Sequence, residues 1–153
     1  MGGPIALISQ GRLDAVGSAD DLLRRPPTVF AANFFGAVNL YKAAVEKTAG
    51  GIRASAGPIV AESQFTDGPA HLMIHPDEVV LLPATAADQA NRLRGEVVAL
   101  TDQGNYVAVQ IRVAGLPSPL MVYVSRQLVR SYKLELGAMV AADVESAIHI
   151  LRE

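Results

Sequence analysis

Two histidines beside an acidic pair, and two serines ahead of short turns, are the residues here whose types could do chemistry. His71, His75, Asp77 and Glu78 offer the nitrogen and oxygen atoms that a divalent cation such as zinc takes. Their spacing argues against a two-histidine site. In a strand over Ala70–Ile74 the two imidazoles stand about 13 Å apart, at about 3.3 Å per residue. Ligands of one ion lie within roughly 4 Å of each other. No metal site is therefore expected, and these residues read as polar groups at a strand end. Ser125 or Ser146 with a histidine such as His149 would be a nucleophile–base pair, but no G-x-S-x-G elbow marks either serine. Ser125 reads better as a helix N-cap. No Gly-Lys pair occurs, so a Walker A phosphate loop is absent, and no G-x-G-x-x-G follows a strand. No catalytic residue and no cofactor is expected in this chain.

The composition fits that reading. The chain has 153 residues, 50% of them hydrophobic, enough for a packed core and too apolar for intrinsic disorder. A net charge of −2 carries no basic footprint for nucleic acid. The tyrosines Tyr41, Tyr106, Tyr123 and Tyr132 have no lysine or arginine stripe beside them and read as core or rim residues. There is no cysteine, which excludes disulfides and thiolate metal sites. No apolar run approaches the roughly 20 residues of a membrane-spanning helix. Met1-Gly2-Gly3-Pro4 lacks the basic start of a signal peptide, so any membrane connection is expected to run through a partner.

The elements fall into two unlike parts. Ile5–Ser9 and the alternating Arg12–Gly17 predict a β-hairpin around Gln10-Gly11. Ser18 then caps a short helix with Asp20 and Asp21 in its first turn, and Pro26-Pro27 ends it. Thr28 caps a second helix carrying Phe30 and Phe34 on one face, with Gly36 as its terminator. From Val38 onward, strands are predicted over Asn39–Glu46, Gly51–Ala56, Pro58–Ser63 and Ala70–Ile74. Gly50-Gly51, Gly57-Pro58 and Asp67-Gly68-Pro69 separate them. Residues 83–89 read as a linker or crossing loop after the apolar stretch ending Val79-Val80-Leu81-Leu82-Pro83. A second strand group covers Arg92–Leu100, Tyr106–Val113, Leu120–Val124, Val140–Val144 and Ala147–Leu151, interrupted by a helix capped by Ser125. Many short strands with few helices predict a mainly β fold, a small OB-like barrel. Periodicity leaves open whether the two strand groups build one composite barrel or two halves.

Three segments, read in order, resemble the C-terminal part of the ATPase subunits of ABC importers. Ile5 to Pro26, with Val29 to Leu40 after it, is similar to the hairpin, helices and crossing that leave their nucleotide-binding domain. Met73-Ile74-His75-Pro76-Asp77-Glu78-Val79-Val80-Leu81 looks like the I-R-P-E-D-I signature of their appended TOBE domain, with His75 where arginine is usual. Asn91 to Val98, continuing to Leu134–Val140 and Ile148–Leu151, resembles the TOBE half of molybdate/tungstate-type importers.

The resemblance implies that residues 1–36 are the last piece of a nucleotide-binding domain. Residues 37–153, in strand groups 37–83 and 90–153, would be a TOBE-type OB-like regulatory domain. ATP and magnesium would belong to the parent subunit, whose motifs lie upstream, and this chain would be an excised or truncated part of it. Such domains form homodimers through the β-domain, work with membrane permease subunits, and sit in the cytoplasm against the inner face of the cell membrane. Some bind the transported oxyanion. Here that site would use Asn91, Ser125 and Ser146, while the cation of the family's oxyanion motif is missing from Asp88-Gln89-Ala90-Asn91. Asp88 and Glu145 oppose a dianion by about 4 kcal/mol at 4 Å and an effective dielectric near 20, against about 1 kcal/mol for each neutral hydrogen bond. A dimerising, regulatory domain is the leading expectation. A stand-alone oxyanion-binding module and an OB-type nucleic-acid domain are the alternatives, with no nucleic-acid partner expected. The hairpin and the Phe30/Phe34 face should lack a packing partner, so residues 1–36 are expected to be rearranged onto a neighbouring chain or poorly ordered, and a self-contained unit within one monomer would count against their being a remnant.

Overall fold

In the computed structural model, residues 3–63 and 69–152 are described; Asp67-Gly68 of the third turn lies outside them. The hairpin forms from β1 (Ile5–Ser9) and β2 (Arg12–Gly17), with Gln10 and Gly11 both at positive φ in the turn. Ser18 caps α1 (Ala19–Arg24), its hydroxyl accepting from Asp21 N at 3.1 Å. Thr28 caps α2 (Val29–Phe34), accepting from Ala31 N while donating to Asp14 Oδ2 at 2.6 Å. One hydroxyl thus starts the second helix and ties it to the hairpin.

The first strand group is β3 (Leu40–Thr48), β4 (Gly51–Ala56), β5 (Ile59–Ser63), β6 (Ala70–Ile74) and β7 (Val80–Pro83). The second is β8 (Arg92–Asp102), β9 (Val107–Val113), β10 (Leu120–Val124), β11 (Met139–Asp143) and β12 (Ile148–Arg152). Ser125 caps α3 (Arg126–Ser131) between β10 and β11, as its position before an amphipathic turn predicts. The alternation in β9 buries Val107, Val109, Ile111 and Val113 and leaves Arg112 in water.

Strand order decides what periodicity left open. One sheet runs β5-β4-β3-β6-β12 and the other β10-β9-β8-β11-β7. Each group lends its last strand to the other's sheet: β7 pairs with β11 (Leu82 opposite Ala141), and β12 with β6 (Ile150 opposite Leu72). The halves are equivalent, β3 to β8, β4 to β9, β5 to β10, β6 to β11 and β7 to β12. One apolar core runs through both, joining Tyr41, Leu72 and Ile74 to Val97, Val109 and Val122. The result is one composite, OB-like pair of half-barrels. The strand-length apolar stretch before residue 83 holds the exchanged strand, which takes in Pro83 from the start of the expected linker.

Close approach of two turns fixes how the sheets meet. Gly57, between β4 and β5, has φ +55°, and a Cβ there would stand 2.5 Å from the carbonyl oxygen of Gly115 between β9 and β10. Gly57→Ala combines left-handed strain of about 1 kcal/mol with that clash. A loss of about 2–3 kcal/mol in urea unfolding is expected, and a loss below about 0.5 kcal/mol would show that the turns do not touch.

Residues 5–36 are folded, contrary to the expectation of rearrangement. Leu7, Ala15, Leu22 and Ala31 make a small core of their own, with Ile5 and Phe35 packed on it. Ala32 of α2 then packs against Met73 and Leu151 of the barrel, and Thr28 bridges to Arg152. Several of its apolar side chains stay bare: Ile8 is 66% exposed, Leu13 64% and Phe34 63%.

Candidate functional site

A groove between the helical unit and the barrel has a volume of about 640 Å³. Leu23, Arg24 and Phe35 form one wall, the turn His75–Glu78 another, and Tyr106 and Tyr123 a third. The two tyrosine rings stack with centroids 4.5 Å apart. Burial, first, and then the neighbouring Tyr106 push the Tyr123 hydroxyl above its ordinary range. Tyr41, by contrast, is a core residue, 2% exposed, and burial raises its pKa.

The His75–Glu78 turn is held at three points. His75 N donates to Ala147 O at 3.1 Å, Glu78 N to His75 O at 3.0 Å, and Tyr123 N to Pro76 O at 2.9 Å. His75 is half-buried, and Asp77 and Glu78 are exposed. These three converge, with one ligand atom from each lying within 4.8 Å of the others. His71 stays behind on β6, opposite Lys42 and Leu151, as the strand spacing predicts. A different histidine comes near instead: His149 on β12 has its ring centroid 6.5 Å from that of His75. Its Nε2 lies 3.2 Å from the carbonyl oxygen of Pro26. Burial holds the His149 pKa below the ordinary imidazole range, against the Pro26 contact, which raises it. Nothing in the sequence marks His149 as a neighbour of His75, because exchange of the last strands brings them together.

The three residues of the expected oxyanion site fall in different surroundings. Ser125 lines the groove but accepts from Leu128 N at 3.1 Å as the cap of α3. Asn91 and Ser146 are not among the groove's walls. The Asn91 amide is engaged three times: it accepts from Val60 N and donates to Val60 O, both at 2.8 Å, and donates to Glu145 Oε2. Asp88 is paired with Arg94, and Arg94 also donates to the carbonyl of Ala86. Ser146 is exposed in a short 3-10 turn over Glu145–Ala147.

One residue escaped notice. Asn39 is 1% exposed. It precedes β3 as Asn91 precedes β8. Its amide accepts from Met121 N at 2.8 Å and donates to Met121 O and Ile74 O at 2.7 and 3.0 Å. Each asparagine thus clasps the outermost strand of the opposite sheet, β10 for Asn39 and β5 for Asn91. An asparagine directly ahead of the first strand of each group was the available signal.

Comparison with known proteins agrees with this architecture. Among solved structures, the cytoplasmic molybdate-binding protein ModG, with molybdate bound, superposes with a TM-score of 0.62. It has 15% identity, over 77% of this chain and 98% of that one, a likeness of fold alone. Among curated proteins, the putrescine transport ATP-binding protein PotG of Escherichia coli (strain K12) is 24% identical over 121 residues, 74% of this chain and 32% of PotG. The Fe(3+) ions import ATP-binding protein FbpC of Serratia marcescens is 26% identical over 147 residues, 95% of this chain and 40% of FbpC. The chain therefore spans about a third to two fifths of the length of these relatives. No described helix is long and apolar enough to cross a membrane. The family model of the TOBE domain matches residues 72–149, from β6 through the groove's acidic turn to the exchanged strand β12, and the chain belongs to the TOBE domain family.

Proposed function

We propose that this chain is the regulatory, non-catalytic C-terminal part of the ATP-binding subunit of an ABC importer. In this reading the β-domain pairs two subunits, and residues up to about 36 carry the contact to the ATPase domain. The observation that carries it is the set of exposed apolar side chains in residues 5–36, in a chain that aligns over 95% of its length with an import ATP-binding protein. Ile8, Leu13 and Phe34 are exposed although the unit has its own small core. Large apolar surface of this kind marks a covered face in the complete protein. Permease subunits would then be reached through the ATPase domain, on the cytoplasmic side of the membrane, and ATP and magnesium would be bound there.

Two experiments test this. Sedimentation of the chain over a range of concentrations is expected to show a homodimer and the chain to hydrolyse no ATP; a monomer at high concentration would remove the pairing role. The double substitution Ile8→Asp/Phe34→Asp is expected to leave this chain's unfolding free energy within about 0.5 kcal/mol, as exposed substitutions do. In the full-length subunit it is expected to cost more than about 2 kcal/mol, because two charges would then be buried. Equal effects in both contexts would refute the covered face.

A second reading, an oxyanion-binding module, is supported by the likeness of fold to ModG. The engaged Asn91 amide and the neighbouring Glu145 carboxylate weigh against it. It requires a melting shift with molybdate or tungstate, and a flat titration to about millimolar anion would end it.

A further inference from the structure

We propose that His75, Asp77 and Glu78 form a binding site for a divalent transition-metal ion at the groove. The site is independent of the ATPase-subunit reading, and either stands if the other fails. Its donor set is one imidazole and two carboxylates. That mixture suits zinc, manganese or iron(II), whereas calcium and magnesium prefer oxygen ligands alone. The ligand atoms lie within 4.8 Å of one another. An ion with bonds of about 2.0–2.2 Å needs them about 3–3.5 Å apart. Asp77 and Glu78 are exposed, so rotation of their side chains closes that gap without moving the backbone. The backbone is already fixed by the three hydrogen bonds at His75 N, Glu78 N and Pro76 O.

The surroundings supply a second histidine. Arg24, the arginine in the groove's lining, is paired with Asp20 at 3.1 Å and is drawn more weakly to Asp77 and Glu78, so it offsets the two adjacent carboxylates only in part. The independent observation is His149. The carbonyl oxygen of Pro26 can only accept, so its contact with Nε2 places the proton there and leaves Nδ1 as the lone-pair nitrogen. A ring held by a backbone carbonyl in this way is the usual setting of a metal-binding histidine. With its ring centroid 6.5 Å from that of His75, His149 reaches the ion through a bound water. Three protein ligands leave coordination positions open for that water.

The test is calorimetric titration of the tag-free chain with zinc chloride and manganese chloride, with magnesium chloride as the control. One zinc ion per chain is expected, at about micromolar affinity, with no heat from magnesium. Asp77→Asn/Glu78→Gln and His75→Gln are each expected to weaken zinc at least about 30-fold, and His149→Gln about 3- to 10-fold. Metal-free melting curves of these variants should match the parent's, which separates lost ligands from lost folding. His71→Gln should change nothing. In the unsubstituted chain, manganese should broaden the His75 ring resonances before those of His71. Absence of saturation by about 1 mM zinc, binding that survives the double carboxylate variant, or broadening centred on His71 would each overturn the site.

Discussion

Asn39→Ala is expected to lower the unfolding free energy by about 3–4 kcal/mol. The amide makes three hydrogen bonds, one buried and two part-buried, and ties β6 to β10, in opposite sheets. Each such bond contributes about 1 kcal/mol, and a stranded buried group costs about 1–3 kcal/mol more. Alanine leaves Met121 N–H without the amide oxygen that it donates to. Asn39→Asp should be worse than alanine. Its second oxygen would face the carbonyls of Ile74 and Met121, and a charge would be buried without a partner. Urea unfolding at neutral pH measures both. A loss under about 1 kcal/mol for alanine, or an aspartate variant more stable than alanine, would show that the amide does not bridge the sheets.

Gly95→Ala is expected to cost about 3 kcal/mol and to part β8 from β9. A Cβ at Gly95 would lie 2.6 Å from Ile111 Cγ2 and nearer still to the carbonyl oxygen of Arg112. Both neighbours are on the paired strand, where Gly95 stands opposite Val113. A side chain can turn away, but a backbone carbonyl within a ladder cannot. Overpacking of this kind costs about 1–3 kcal/mol where side chains alone give way, and the fixed carbonyl puts this site at the upper end. Amide exchange should speed up in β8 and β9 and not in the β1–β2 hairpin. Uniform protection in the variant would show that the strands have room. The same packing explains why a strand with good propensity on either side carries a glycine.

Much of the fold was legible because its signals are local. Ser18, Thr28 and Ser125 cap the helices they precede, since a hydroxyl two or three residues ahead of free N–H groups needs no tertiary context. Gly51–Ala56, Ala70–Ile74 and Leu120–Val124 are strands over the expected residues, because turn residues bound each one. The pairing of the strands was not legible. β7 is four residues long and strand-like in its sequence, but nothing in that sequence names β11 as its partner.

The site divides in the same way. The sequence by itself determined that no phosphate loop or thiolate ligand is present and that His71 and His75 are too far apart to share an ion. It also carried the likeness to importer ATPase subunits, since the order of the hairpin, helices and His75–Glu78 turn lies along the chain. The tertiary structure alone decided that Asn39 and Asn91 are equivalent clasps and that His149 stands next to His75. It also decided that Asn91 and Ser125, both read as oxyanion ligands, lie in different surroundings. The physical reason is the exchange of β7 and β12. Contacts between residues about 70 positions apart depend on which sheet each last strand joins, and hydrophobic alternation is the same in either sheet. The chemistry of the absent motifs is therefore written in the sequence, as is the His75–Glu78 turn, and the approach of His149 to that turn is written in the strand exchange.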